Sequence, residues 1–292
     1  MKCCESCENG FFPAGMTQGQ KILMGCTLGF LLLFVYMIAS LFLSHVVKLP
    51  AIPGGLYGKV GFLATMTFLY FAYLRGWKTA IFLLVFMAFY AWGIEDLSIH
   101  TGFPFGHYYY SDMLGFKIDV TPALLGFNYF WVLIVPSYFI SNLIVEGSPF
   151  SSSSTLNKIL FTAFIGSIIV AAIDMVVDPL DATRLHEWVW TKNNFTGYYG
   201  IPYVNYLGYV IAVTPAYAIL KWFEKKVDAK PIGPVTMSIV VIPLIIYFLN
   251  FLLYGVPAPS GIFLVGCFTM VFPLILAINK LNDYFAKGEN KG

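Results

Sequence analysis

Charge is scarce in this sequence. Only 11% of its 292 residues are Asp, Glu, Lys or Arg, and the formal net charge is +2. Without a basic surplus nothing would neutralise a phosphate backbone, which excludes a nucleic-acid partner. Also missing are a nucleotide-binding motif and the His-x-x-His or His-Glu-x-x-His spacings of common metal sites. Cysteine is sparse too: Cys3, Cys4 and Cys7 crowd the N-terminus, while Cys26 and Cys267 sit in apolar runs. The terminal group lacks the second ligand pair of a zinc site and reads as a tail, with acylation the one chemistry its thiols offer.

What fills the space is apolar. Hydrophobic residues make up 59% of the chain and aromatics 18%, and mean hydropathy is +0.76. This composition belongs to a polytopic membrane protein. A bilayer core of roughly 30 Å takes about 20 apolar residues per helix. Eight runs approach that length: 22–47, 56–74, 79–99, 122–145, 156–177, 201–221, 235–255 and 261–279. They are continuous rather than alternating, so the expected fold is an all-α transmembrane bundle of about eight helices, not a barrel. The first run is too long for a signal-peptide core and no small-residue cleavage site follows it, so it is expected to be retained. One membrane domain, 22–279, is expected between tails 1–21 and 280–292, with its motif-bearing core at about 80–220.

Basic residues orient the bundle. Placing the 17 Lys and Arg on alternating loops puts all but Lys48, Lys59, Lys117, Arg184 and Lys192 on the side of the two termini. The positive-inside rule then predicts cytoplasmic termini. Loops 100–121 and 178–200 are thereby expected on one non-cytoplasmic face, where two distant acidic segments share a site. A weak internal similarity points the same way: each loop follows a helix ending in acids, and each next helix opens with Asn-Tyr (Asn128-Tyr129, Asn205-Tyr206). SPFSSSST reads as a connector, and the charges of FEKKVDAKPIGP are expected to face headgroups and water.

Asp174, Asp178 and Asp181 recur at i, i+4 and i+7, one face of a continuing helix. Pro179 disfavours helix at Asp178, so a break is expected there, leaving Asp181 in a solvated loop. Acids inside a span are costly, about 2.5–3.5 kcal/mol at a helix centre, and they face cavities or bundle interiors. Asp174 is the deepest of the three. Of Glu95 and Asp96, about 100° apart on a helix, Glu95 is expected to face inward. His100, His107 and His186 would suit a metal, but without ligand spacing none is expected. Tyr108, Tyr109, Tyr110, Trp188, Trp190, Tyr198 and Tyr199 form either an interfacial aromatic belt or the walls of a pocket for a long apolar or polyene substrate. Asn194-Phe195-Thr196 fits a glycosylation sequon.

EDLSIHTGFPFGHYYYSDMLG (Glu95–Gly115), DMVVDP (Asp174–Pro179), Trp188 with Trp190, and YYGIPYVNYLGY (Tyr198–Tyr209) together resemble the CruF-type carotenoid 1,2-hydratases. That group includes bisanhydrobacterioruberin and gamma-carotene hydratases, and it implies distant kinship with heterodimeric lycopene cyclases. The resemblance implies a multi-pass enzyme of the cell membrane, a hydro-lyase of carotenoid biosynthesis. It would add water to the terminal C1,C2 double bond of an acyclic carotenoid, beside other enzymes of the pathway. No cofactor is implied. Asp174 or Glu95 would donate a proton to C2, and Asp178 would activate water for the C1 cation. His107, Tyr108, Tyr110, Trp188, Trp190, Tyr198, Tyr199 and Asn205 would contact substrate. Two rivals remain: a UbiA-like prenyltransferase, since Asp174-x-x-x-Asp178 resembles half of a magnesium-diphosphate motif, and a carotenoid-binding protein or proton-coupled transporter without catalysis.

Overall fold

A computed structural model describes residues 12–43, 50, 55–129, 135–150, 155–191 and 197–289. The N-terminal cysteine cluster and the Asn194 sequon lie outside them. Helices α1 (Gln18–Leu43), α2 (Gly55–Arg75) and α3 (Trp77–Thr101) come first. Next are three short strands: β1 (Tyr108–Tyr110), β2 (Lys117–Ile118) and β3 (Thr121–Pro122). Helices α4 (Leu125–Tyr129), α5 (Val135–Glu146) and α6 (Leu156–Asp181) lead to β4 (Trp188–Trp190) and α7 (Tyr203–Lys226). Two long helices with π turns close the chain, α8 (Met237–Gly255) and α9 (Ser260–Lys287).

Six of these, α1, α3, α6, α7, α8 and α9, are long and apolar enough to cross a membrane. In α2 the apolar stretch Val60–Arg75 is shorter. The run 122–145 does not open as a helix: it begins in β3, and helix is described over Leu125–Tyr129 and Val135–Glu146, with 130–134 outside the described residues. The start of α1 is set by a capping box. Thr17 N–H donates to the Gln20 side chain at 2.8 Å, and Gln20 N–H donates to the Thr17 hydroxyl at 3.3 Å.

Helix α6 is the hub, packed against α5, α7, α8 and α9, with 67% of its most apolar window buried. Small residues allow this approach, as is usual between membrane helices. A Cβ on Gly166 would lie 2.5 Å from the Tyr217 ring of α7. The expected break at Pro179 does not occur, because α6 runs on through it to Asp181. Among packed helices, a break would strand backbone groups with no water to receive them, whereas one proline near a helix end costs a single hydrogen bond. Asp181 is therefore buried rather than solvated.

A polar knot closes the opposite end of the bundle. Arg75, at the end of α2, approaches Glu224 of α7 to 2.9 Å, not aligned as a hydrogen bond. Its guanidinium lies over the Phe139 and Phe150 rings, and the Tyr138 hydroxyl donates to Glu224. Lys221 donates to Asn142 at 2.6 Å and to Glu146. Glu224 was expected in headgroups and water, but the side chains of Arg75 from α2 and Tyr138 from α5 reach it and it is buried. Removing one partner of such a pair leaves a buried charge uncompensated, at about 3–5 kcal/mol. Glu224→Ala is accordingly expected to lower the thermal stability of purified protein sharply, as read by a melting curve in detergent. Lys226→Ala, at the end of the same helix, is the control.

Candidate active site

Two segments far apart in sequence are joined at one end of the bundle. After α3, Gly102 takes the left-handed conformation (φ 80°) and caps the helix, its N–H donating to Ser98 O at 2.7 Å. Glycine suits this place doubly, since a Cβ would lie 2.5 Å from the His107 ring. The Ser98 hydroxyl accepts from Phe105 N–H and donates to Gly106 O, turning the chain into β1. Strand β1 pairs antiparallel with β4, with Tyr108 opposite Trp190 and Tyr110 opposite Trp188. Alternation puts Tyr108 and Tyr110 inward and Tyr109 outward. Ring centroids lie 4.9 Å apart for Tyr108 and Trp190 and 6.1 Å for Tyr110 and Trp188.

Beneath this ribbon lies a cavity of about 80 Å³. A water needs roughly 10–15 Å³, so several fit. Pockets that enclose a drug-sized ligand run to about 300–1,000 Å³, so this space suits water and the tip of a long molecule. Glu95, Asp174, Asp178, Asp181 and Glu187 line it, with Tyr108, Tyr110, Trp188, Trp190, Asn205, Tyr209 and Tyr254. Apolar cover comes from Leu125, Ile173 and Val177. No Lys or Arg stands among these wall residues.

The acids fall into two groups with different hydrogen bonding. Glu95, buried on α3, accepts from the Tyr110 hydroxyl at 2.9 Å and from the Tyr108 hydroxyl, both at Oε2. Two phenols donating to one oxygen suit an anion. Burial, and then the charge of Glu95, push the Tyr108 phenol well above its ordinary range, so it remains a donor through neutral and alkaline pH. Asp174 and Asp178 lie one turn apart on α6, near enough to interact directly. Two carboxyl groups this close favour holding one proton between them over carrying two charges. The Asn205 amide clamps the pair, its Nδ2 donating to Asp174 at 2.7 Å and to Asp178 at 2.6 Å. Tyr209 hydrogen-bonds Asp174 as well. Glu95 interacts electrostatically with both aspartates.

The cavity thus gathers Glu95, Asp174, Asp178, Tyr108, Tyr110, Trp188, Trp190 and Asn205 from the residues singled out in the sequence. His107, Tyr198 and Tyr199 are not in its wall. His107 packs on Gly102, and Tyr198 and Tyr199 meet edge to face with ring centroids 4.8 Å apart. Asp181, Glu187, Tyr209 and Tyr254 join it without having been singled out as site residues. The histidines do not assemble a site: among the described residues, the one group with ligand atoms within 4.8 Å is Asp96, His100 and Asp119, more exposed than the acids in the cavity and held by a 2.8 Å His100–Asp119 bond.

Comparison with known proteins gives the chain its family. The family model described as carotenoid biosynthesis protein matches residues 53–276. Among curated proteins, the bisanhydrobacterioruberin hydratase of Haloarcula japonica is 29% identical over 135 residues, 44% of this chain and 40% of that protein. The matched region thus spans less than half of that relative. No solved structure matches. All the wall residues of the cavity fall inside the matched region, and the chain belongs to the carotenoid biosynthesis protein family.

Proposed function

We infer that this protein is a carotenoid 1,2-hydratase, adding water to the terminal C1,C2 double bond of an acyclic carotenoid. The observation that carries this reading is one small cavity holding the Asp174–Asp178 pair, clamped by Asn205, and, beside it, the phenol-bound Glu95. A related protein's name supplies the reaction class.

The chemistry distributes itself over these groups. The pair gives its shared proton to C2 as the general acid, and the double-bond electrons form the new C–H bond. A tertiary cation is left at C1, where the faces of Trp188, Trp190, Tyr108 and Tyr110 stabilise it. Water attacks C1 while Glu95 takes its proton, giving the tertiary alcohol. Return of that proton from Glu95 to the aspartate pair restores the site, so the net change is one added water. This differs from the expectation that Asp178 activates water, because Asp178 is paired with Asp174 whereas Glu95 has the hydrogen bonding of a base. An uncharged, metal-independent substrate also fits a wall without Lys or Arg, which a prenyl diphosphate does not.

The protein is read as multi-pass in the cell membrane, with both termini cytoplasmic and the cavity toward the other face. Expression in cells that accumulate lycopene or another acyclic carotenoid is expected to yield a pigment heavier by one water, read by mass. An unchanged pigment profile across several acyclic substrates, with the protein present in the membrane fraction, would refute the assignment.

A further inference from the structure

Three hydrogen bonds fasten the segment after β1 along one face of α3. The Trp92 indole N–H donates to Ile118 O at 3.3 Å, the Thr121 hydroxyl donates to Asp96 at 3.0 Å, and His100 pairs with Asp119 at 2.8 Å. Trp92, Asp96 and His100 are four residues apart in turn, a single stripe. The strand pair β2–β3 therefore does not stand off the end of the bundle. It lies back along the last two turns of α3, about 12 Å at 1.5 Å per residue.

That depth has a consequence in a bilayer. At 25 residues α3 is about 37 Å long, against a hydrocarbon core of roughly 30 Å. With the helix centred, about 4 Å projects at each end, so a segment covering its final 12 Å or so runs from the headgroup level into the outer half of one leaflet's hydrocarbon. Beside the exposed carboxylates of Asp112 and Asp119, it presents there three large apolar side chains, Met113 63% exposed, Phe116 70% and Ile118 49%. They continue the outward apolar stripe of α3, which carries Val85, Phe89 and Leu97. The charged groups of the segment are paired, with Lys117 donating to Asp112 at 2.9 Å and to Tyr110 O at 2.8 Å, and Asp119 bonded to His100.

We propose that residues 111–121 form a membrane-inserted hairpin, seated in the interfacial layer beside the cavity with Met113, Phe116 and Ile118 in contact with lipid. Such a segment needs backbone partners, and the β2–β3 pairing, the Trp92 bond to Ile118 O, Ser111 N–H to Glu187 O and Gly115 N–H to Asp112 O supply several. Behind the hairpin stands Tyr110, whose carbonyl holds Lys117 and whose hydroxyl reaches Glu95. The hairpin is thus the lipid-side flank of the cavity, and, on the hydratase reading above, the flank across which a bilayer-dissolved substrate arrives.

Single cysteines at Met113 or Phe116, in the full chain with its five native cysteines replaced, would carry a fluorophore in phosphatidylcholine vesicles. Shallow nitroxide-labelled lipids should quench both positions several-fold more strongly than they quench Asp228→Cys in an exposed turn, and aqueous iodide should show the reverse order. Quenching of both positions by iodide as at Asp228 would overturn the proposal, and so would protection from both quenchers, which means protein cover. Two positions guard against one variant failing to insert. Because the readout is accessibility, it stands or falls separately from hydration activity.

Discussion

Asp174→Asn is expected to abolish the hydrated product, a loss of roughly 10²–10⁴-fold, the usual contribution of a positioned acid. The substitution keeps size and shape and still offers an oxygen to the Asn205 amide. What it removes is the second carboxyl group of the pair. An amide N–H facing Asp178 would hold that carboxyl as the acceptor, so the pair would no longer have a proton to give. Pigment mass and membrane-fraction abundance should be measured together. Product at the wild-type level from correctly inserted protein would take Asp174 out of the reaction.

Glu95→Gln should lose hydration to a similar extent, roughly 10²–10⁴-fold, but at a later step. The aspartate pair can still protonate C2, and the cation then has no base to activate its water. It reverts by losing a proton from C2 or a neighbouring methyl. In deuterated water, the substrate recovered from Glu95→Gln is therefore expected to carry deuterium although no alcohol forms, while Asp174→Asn should show neither. Mass analysis of recovered substrate separates the two. Unlabelled substrate from inserted Glu95→Gln would reverse the assignment and make Glu95 the donor.

Much of this end of the molecule was legible in the sequence, for physical reasons that can be traced. Scarce charge and unbroken apolar runs left an all-α membrane bundle as the natural reading, and the six long apolar helices agree. The basic-residue imbalance placed loops 100–121 and 178–200 together, and the β1–β4 pairing joins them. Glu95 was preferred to Asp96 for the interior, and it is buried while Asp96 accepts from Thr121. The strand pairing itself was hidden, because three residues of Tyr or Trp read equally as an interfacial belt. Asp181 was misjudged by a local rule about proline that helix packing overrode. Tyr254 and Glu224 could not be seen, since their neighbours lie across the bundle: Tyr254 comes from a π turn, and Glu224 meets Arg75 from a helix far earlier in the chain.

The β1–β4 clasp also bears on how the protein is made. Tyr108 and Trp190 lie on opposite sides of α4, α5 and α6 in the chain, so the half of the cavity holding Glu95 enters the bilayer well before its partner acids are synthesised. The hydrogen bonds that Tyr108 and Tyr110 give the Glu95 carboxyl come from its own loop, so they need nothing from α6. The two tyrosines are thus placed to satisfy a buried acid from the first half of synthesis onward.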